Sequence, residues 1–366
     1  MKISQFEDMQ RLQMQINECL QHLNELLGLE VKNSEYFIVP KLNLIFLTSA
    51  DVKLFLNVTN EYKSNKKLLT KLLASTYIFL LSLVLKIGLG RIFLKVITLK
   101  SLEFYPLIIG GNNRLRFINS SNSYALVIAK NLKNTLFTKN AIRAFNCNQF
   151  SDLEIIPDLF HLSDRVYLEK QIAGIAINRA EMKEDQHDSV KYKIDTLFSI
   201  QQNKKRNTKL SSYLRYKNFV LKNYAKDSKS DYIKSLNNVF LNIGNKILKK
   251  SESKHVSVCL SHGDLNRGNI FIDQHKVSVI DWEYFMYRYI NYDYLIYNFD
   301  LRHQTLPNYI KILEKDWPSN CDLTLFLYEE LFFRILNYKE DVKESRLYID
   351  TMIQLISKNL IISNEA

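Results

Sequence analysis

The sequence predicts an α+β protein with a β-rich small lobe, a mainly helical large lobe and an N-terminal extension. Three observations carry that expectation. Between Ser101 and Ile172, short strand-like runs alternate with strong turn formers. After Ala173, apolar residues recur mostly at helical spacing. Within that second region, His255 to Glu283 reads as strand, polar loop, strand, turn and strand. The expected organisation is an extension over 1–100, a small lobe over 101–172 and a large lobe over 173–366.

Composition is that of a folded chain. At 366 residues, with 46% apolar and 24% charged residues, it exceeds the usual single core and should pack as more than one unit. Only 9 Gly and 5 Pro argue against long flexible linkers. Cys19, Cys147, Cys259 and Cys321 form no CxxC pair, and the seven His show no ligand spacing, so neither a zinc site nor a disulfide framework is indicated. The opening MKISQFEDMQ has early acids and no apolar core, which does not fit a secretory signal. Reduced thiols and a cytoplasmic location are expected.

In the extension, Phe6, Met9, Leu12, Ile16, Leu20, Leu23 and Leu27 trace an amphipathic helix over residues 3–29. Asn43 to Asn57 reads as strand. Leu72 to Leu99 contains the apolar run Ala74 to Leu85, followed by Lys86, Arg91 and Lys95. The run falls short of the roughly 20 residues that span a bilayer. Two readings stay open: a buried helix packed on the rest of the chain, or a peripheral membrane contact through 72–99 whose basic residues meet anionic headgroups.

The small lobe opens with strands over Leu102 to Ile109, Arg114 to Asn119 and Tyr124 to Lys130, separated by Gly110-Gly111-Asn112-Asn113 and Ser120-Ser121-Asn122-Ser123. A helix over Leu132 to Phe150 and strands over Ile155 to His161 and Arg165 to Ile172 complete it. Residues 201–254 hold 14 Lys and Arg against three acids. Nucleic acid is not the expected partner, because Ile233, Leu236, Phe240, Ile243 and Ile247 trace a helix stripe that makes the neighbouring lysines its solvated face.

Residues 255–283 carry the chemistry. Val256, Val258 and Leu260 mark a strand, Ser261 to Gly268 a loop, and Asn269 to Asp273 and Val277 to Ile280 a hairpin that ends in Asp281-Trp282-Glu283. That order delivers Asp264, Asn269 and Asp281 to one pocket. Phosphoryl transfer needs such groups: a carboxylate to orient an acceptor hydroxyl and take its proton, and hard oxygen ligands for a divalent metal on the phosphates. Six tyrosines follow Glu283, at 284, 287, 289, 292, 294 and 297, and read mainly as core and packing.

His262-Gly263-Asp264, with Asn269 five residues after Asp264 and Asp281-Trp282-Glu283 after a hairpin, resembles the aminoglycoside phosphotransferase and choline kinase superfamily. These are protein-kinase-like enzymes that phosphorylate small molecules, and the resemblance covers about residues 101–300. It implies a protein-kinase-like bilobal fold, ATP and Mg²⁺ as cofactors, and a small-molecule hydroxyl as acceptor. It implies Asp264 as catalytic base and Asn269 and Asp281 as metal ligands. Lys130 would meet the α- and β-phosphates beneath Gly110 and Gly111, and the backbone from Glu169 to Gln171 would meet adenine. His262 would shape the loop, Asp293 would buttress it, and Glu283 would lie at the pocket edge.

The chain departs from the pattern at one point. The helix after Lys130 should supply a Glu to pair with it, yet no acid occurs between Asn131 and Ser151. A nucleotide-binding pseudokinase used as an interaction module therefore stands beside the enzyme reading. Among acceptors, the basic balance favours a sugar or glycan intermediate over an aminoglycoside or choline-type alcohol.

Overall fold

A computed structural model describes residues 9–28, 32–42, 44–59, 68–101, 105–111, 113–119, 123–226, 230–251, 253–319, 321–338 and 343–362. The chain divides into two compact units, Met1–Lys193 with Gly268–Ile280, and Ile194–Arg267 with Asp281–Ala366.

The first unit is built on one antiparallel sheet. Its elements are α1 (Met9–Leu27), β1 (Lys32–Val39), β2 (Leu44–Leu47), α2 (Val52–Thr59), α3 (Leu68–Lys86), α4 (Gly90–Phe93) and β3 (Lys95–Ser101). Then come β4 (Leu107–Gly110), β5 (Arg114–Ile118), β6 (Tyr124–Ala129), α5 (Leu136–Phe145), β7 (Leu159–Ser163) and β8 (Val166–Lys170). The eight strands run in the order β3-β1-β2-β4-β5-β6-β8-β7, so the extension supplies three strands to the same sheet as the small lobe.

Strand alternation sends side chains to two faces. Tyr36, Ile38, Leu126 and Ile128 pack with Ile16, Cys19, Leu20 and Leu23 of α1. Phe37, Val39, Phe46 and Ala125 pack on the other side with Leu54 and Phe55 of α2 and Ile78 and Leu81 of α3. Val127 joins that side's parity and meets Ala141 of α5.

Several elements differ from expectation. Strand over 43–57 is confined to β2, because the Asp51 side chain accepts the Lys53 N–H and starts α2, whose Leu54 and Phe55 then reach the sheet at helical spacing. Asn43 lies outside the described residues, as do Ile3 and Phe6 of the expected first helix and Leu102 to Phe104 of the first small-lobe strand. The stretch 72–99 is not one helix. It breaks at Gly88, where φ is +75°, and resumes as β3, in which Ile97 and Leu99 are buried at a spacing of two. The helix expected over 132–150 is shorter, Leu136–Phe145.

After β9 (Ile175–Ala176), α6 runs Glu184–Asn203. The first unit also takes in the hairpin Ile270–Asp273 and Lys276–Val279, which are β12 and β13 in chain order, with β12 paired to β9.

The second unit is mainly helical. It contains β10 (Arg206–Lys209), α7 (Leu210–Lys226), α8 (Asp231–Lys250), β11 (His255–Ser261), β14 (Met286–Tyr289), α9 (Tyr292–Asn298), α10 (Leu306–Lys315), α11 (Leu323–Leu336) and α12 (Lys343–Ile362). A small sheet orders β10-β11-β14. In α8 the stripe Ile233, Leu236, Phe240, Ile243 and Ile247 is buried, as its spacing predicts. The tyrosines after Glu283 lie on a short helical turn, a strand and a short helix, with Tyr284, Tyr289 and Tyr292 buried.

Helix α11 is apolar on every side and packs against α7, α8 and α12, its first turn capped by Asp322, which accepts the Leu325 N–H. Two adjacent acids, Glu329 and Glu330, sit in its middle with no solvent exposure. Glu329 accepts from Lys217 Nζ at 2.8 Å, from Arg288 Nη1 at 2.7 Å and from the Tyr213 hydroxyl. Burial and the Arg288 charge draw the Lys217 ammonium down to about 7, while Glu329 works against both.

Replacing Glu329 with Gln should leave two buried cations without their anion. We expect a loss of about 3–5 kcal/mol in denaturant unfolding, the range for stripping one partner from a buried pair.

Candidate active site

The loop after β11 is shaped by buried contacts on its backbone. Gly263 has φ +85°, and a Cβ there would lie 2.5 Å from the Tyr284 carbonyl oxygen, so no larger residue fits. The Asp293 carboxylate, wholly buried in the first turn of α9, accepts the N–H groups of His262 at 2.7 Å and Gly263 at 2.9 Å. It also accepts from Gln201 Nε2 at 2.8 Å. The His262 ring is buried 4.6 Å from the Trp282 ring, and its Nδ1 accepts the Asp264 N–H at 3.1 Å. Three successive residues are thus held in one shape, and Asp264 is presented at its end.

Asp264 is partly buried, and its Oδ1 accepts from Arg302 Nε at 2.7 Å. Burial pushes its carboxyl above the ordinary range; Arg302 pulls the other way, and the nearby charge of Asp281 adds to the rise. Asp281 itself stands in a left-handed backbone conformation, φ +69°, which is uncommon outside glycine and gathers at functional sites. Glu283 follows on a short helical turn and is buried.

Arg302 is the residue that spacing did not reveal. Its guanidinium bonds Glu330 Oε2 at 2.7 Å and the Tyr292 hydroxyl at 2.9 Å, and lies 3.9 Å from the centre of the Phe333 ring. Burial would raise the Glu330 carboxyl, yet Arg302 and Arg334 hold it down at about 2. Tyr292 and Tyr309 also donate to it, at 2.5 and 3.1 Å. A lone Arg in a polar turn carries no pattern. Glu329-Glu330 inside an otherwise apolar run was the available signal, because buried charges require partners.

The first unit places the other predicted residues. Lys130 follows β6, is buried, and donates from Nζ to the Gly111 carbonyl at 2.5 Å, so the lysine and the glycine turn after Gly110 lie together. Glu169 is in β8, its carboxylate on Arg116 Nε at 2.9 Å, and the Gln171 N–H donates to the Ser123 carbonyl. Helix α5 carries no acid; its buried polar residues are Thr138 and Asn140. Asn269 closes the turn before β12, and its carbonyl accepts the Ile280 N–H at 2.9 Å, tying it to the residue that precedes Asp281.

Asn269 and Asp281 each carry a hard oxygen donor of the kind that Mg²⁺ takes. Among the described residues no group of three or more His, Cys, Asp or Glu is placed to hold a metal ion.

Residues 159–322, from β7 to the cap of α11, match the model of the phosphotransferase enzyme family. No curated protein sequence matches the chain.

Among solved structures, the streptomycin–ATP–APH(2")-IIa ternary complex is similar at 16% identity over 67% of this chain and 89% of that one, with a TM-score of 0.42. An amicoumacin kinase complex with AMP-PNP and Ca²⁺ matches at 11% identity over 71% of this chain and 89% of that one, TM-score 0.42. A choline/ethanolamine kinase family protein from Mesorhizobium loti matches at 14% identity over 71% and 92%, TM-score 0.36.

Gly263→Ala should lower stability by about 1–3 kcal/mol through backbone strain alone, and further through the clash with Tyr284. Thermal and denaturant melts of the purified variant check this.

Proposed function

We propose that the protein is an ATP-dependent kinase that phosphorylates a hydroxyl of a small molecule, with a sugar or glycan intermediate as the favoured acceptor. The observation that carries this reading is the Asp264 carboxylate, presented by a loop whose His262 and Gly263 N–H groups are held by the buried Asp293 carboxylate, and bonded through one oxygen to Arg302. An acid whose pKa is raised is a better proton acceptor, once ionised, than an ordinary Asp.

In the proposed reaction, Asp264 orients the acceptor hydroxyl and takes its proton as the oxygen attacks the γ-phosphorus of ATP. The bond from that phosphorus to the bridging oxygen breaks, and ADP leaves. Lys130, which donates to the Gly111 carbonyl, would exchange it for α- and β-phosphate oxygens, and the turn of Gly110 and Gly111 would cover them. The backbone from Glu169 to Gln171 would hold adenine. Asn269 and Asp281 would hold Mg²⁺, which when bound neutralises charge on the phosphates. Glu283 is assigned to the edge of the same pocket, and His262 and Asp293 to holding the loop.

The acceptor reading rests on charge. Several acids of the helical unit are already engaged: Asp293 by loop N–H groups, Glu329 by Lys217 and Arg288, Glu330 by Arg302, Asp300 by His303, and Glu314 by Lys358. A polycationic aminoglycoside needs free carboxylates, whereas a neutral sugar needs hydrogen bonds. An aminoglycoside or choline-type alcohol is the alternative acceptor. A pseudokinase reading rests on the acid-free α5, and the bond from Lys130 to Gly111 weighs against a lysine turned out of use.

ADP release with Mg-ATP across sugars, aminoglycosides and choline-like alcohols tests the proposal. We expect turnover with a neutral sugar acceptor, lowered about 10²–10⁴-fold in Asp264→Ala. Nucleotide binding without turnover on any acceptor would transfer support to the pseudokinase.

The acid limb of kcat/KM should lie above the ordinary aspartate range, because the base must be ionised and burial holds its pKa up. Arg302→Gln should move that limb to still higher pH, since the guanidinium favours the ionised form. A limb that stays in place would remove Arg302 from the environment of the base.

A further inference from the structure

Helix α3 is apolar on two opposite faces, and the sheet covers only one. Ile78 and Leu81 are buried against Phe37, Phe46 and Phe55. The opposite stripe, at spacings of three and four, is open: Leu69 is 70% exposed, Leu73 63%, Phe79 64%, with Leu72, Leu80, Leu83 and Ile87 continuing it. Beyond the break at Gly88 the surface goes on through Ile92, 73% exposed, and Phe93. That turn is rigidly placed, for a Cβ on Gly90 would lie 2.6 Å from the Phe37 ring. An apolar surface this continuous marks an interaction site on a folded protein.

The charges around it have one sign. Between Glu61 and Glu103 there is no acidic residue, while eight Lys and Arg occur. Lys86, Arg91 and Lys95 are exposed beside the apolar stripe; Arg91 also pairs with Glu35. Two copies of the chain joined through this surface would bring like charges together. An anionic surface would be met by them, with lysine stems lying along the apolar boundary and their ammonium groups at headgroup level.

We propose that α3 and the turn after it seat the protein on an anionic lipid bilayer, with the helix in the plane of the interface. Crossing is not its geometry: no helix of the described residues is long and apolar enough to span a membrane, and the inner face of α3 is occupied by the sheet. The stripe Leu69, Leu73, Phe79, Leu83 and Ile92 enters the acyl boundary, and Lys86 and Lys95 meet phosphate or carboxylate headgroups. This goes beyond the kinase reading and does not depend on it, because lipid capture needs no turnover.

The test is flotation of the full chain with phosphatidylcholine vesicles and with vesicles that also contain phosphatidylserine, at low and high salt, beside sizing chromatography. The expected result is capture by the phosphatidylserine vesicles, weakened by salt. It should be weaker by roughly tenfold or more in Leu73→Ser/Phe79→Ser, whose side chains leave the fold intact because they face outward. Circular dichroism melts confirm that the variant is folded. Lys86→Gln/Lys95→Gln should reduce the preference for phosphatidylserine. Equal capture by neutral vesicles, no capture by either, or a dimer that Leu73→Ser/Phe79→Ser dissociates without any vesicle binding would each overturn the proposal.

Discussion

Two adjacent carboxylates buried in the middle of an apolar helix set the terms for the helical unit. Glu329 and Glu330 cannot remain ionised there unless cations and hydroxyls converge on them from other elements. Lys217 and Tyr213 come from α7, Arg288 from β14, Tyr292 from α9, and Arg302 from the turn beyond it. Each contact fixes the angle and depth of one element against α11. Arg302 carries the constraint outward, because the guanidinium that satisfies Glu330 also bonds Asp264. The candidate base therefore takes its position from the core as well as from its own loop.

The loop is restrained a second way. Asp293 serves as an acceptor for consecutive N–H groups at His262 and Gly263, an arrangement that needs the close backbone approach only glycine allows. Together the two restraints hold Asp264 through both its backbone and its carboxylate. In the proposed reaction a carboxylate held in this way would need no reorganisation on acceptor binding, which is where preorganised sites gain most.

In the sheet-bearing unit the governing fact is that both faces of the sheet are covered. Helix α1 packs on one side, and α2, α3 and α5 on the other, so the extension is part of the sheet's core. Cys19 of α1 lies against the carbonyls of Ala129 and Lys130, where burial pushes its thiol up to about 12. The helix that shelters the end of β6 thus comes from the extension, a partner that α5 alone would not suggest.

Local pattern determined much of this protein. The His262-Gly263-Asp264 loop, the hairpin to Asp281, the turn at Gly110-Gly111 and the stripe of α8 were legible because each depends on residues a few positions apart, where periodicity and turn chemistry act directly. Tertiary structure alone decided the rest. That β3 joins β1, that Arg302 reaches both Asp264 and Glu330, and that one apolar face of α3 stays open all depend on contacts between distant segments. A run such as Ala74 to Leu85 reads the same in sequence whether both faces are buried or one, because hydropathy records what a side chain is and not which surface meets it.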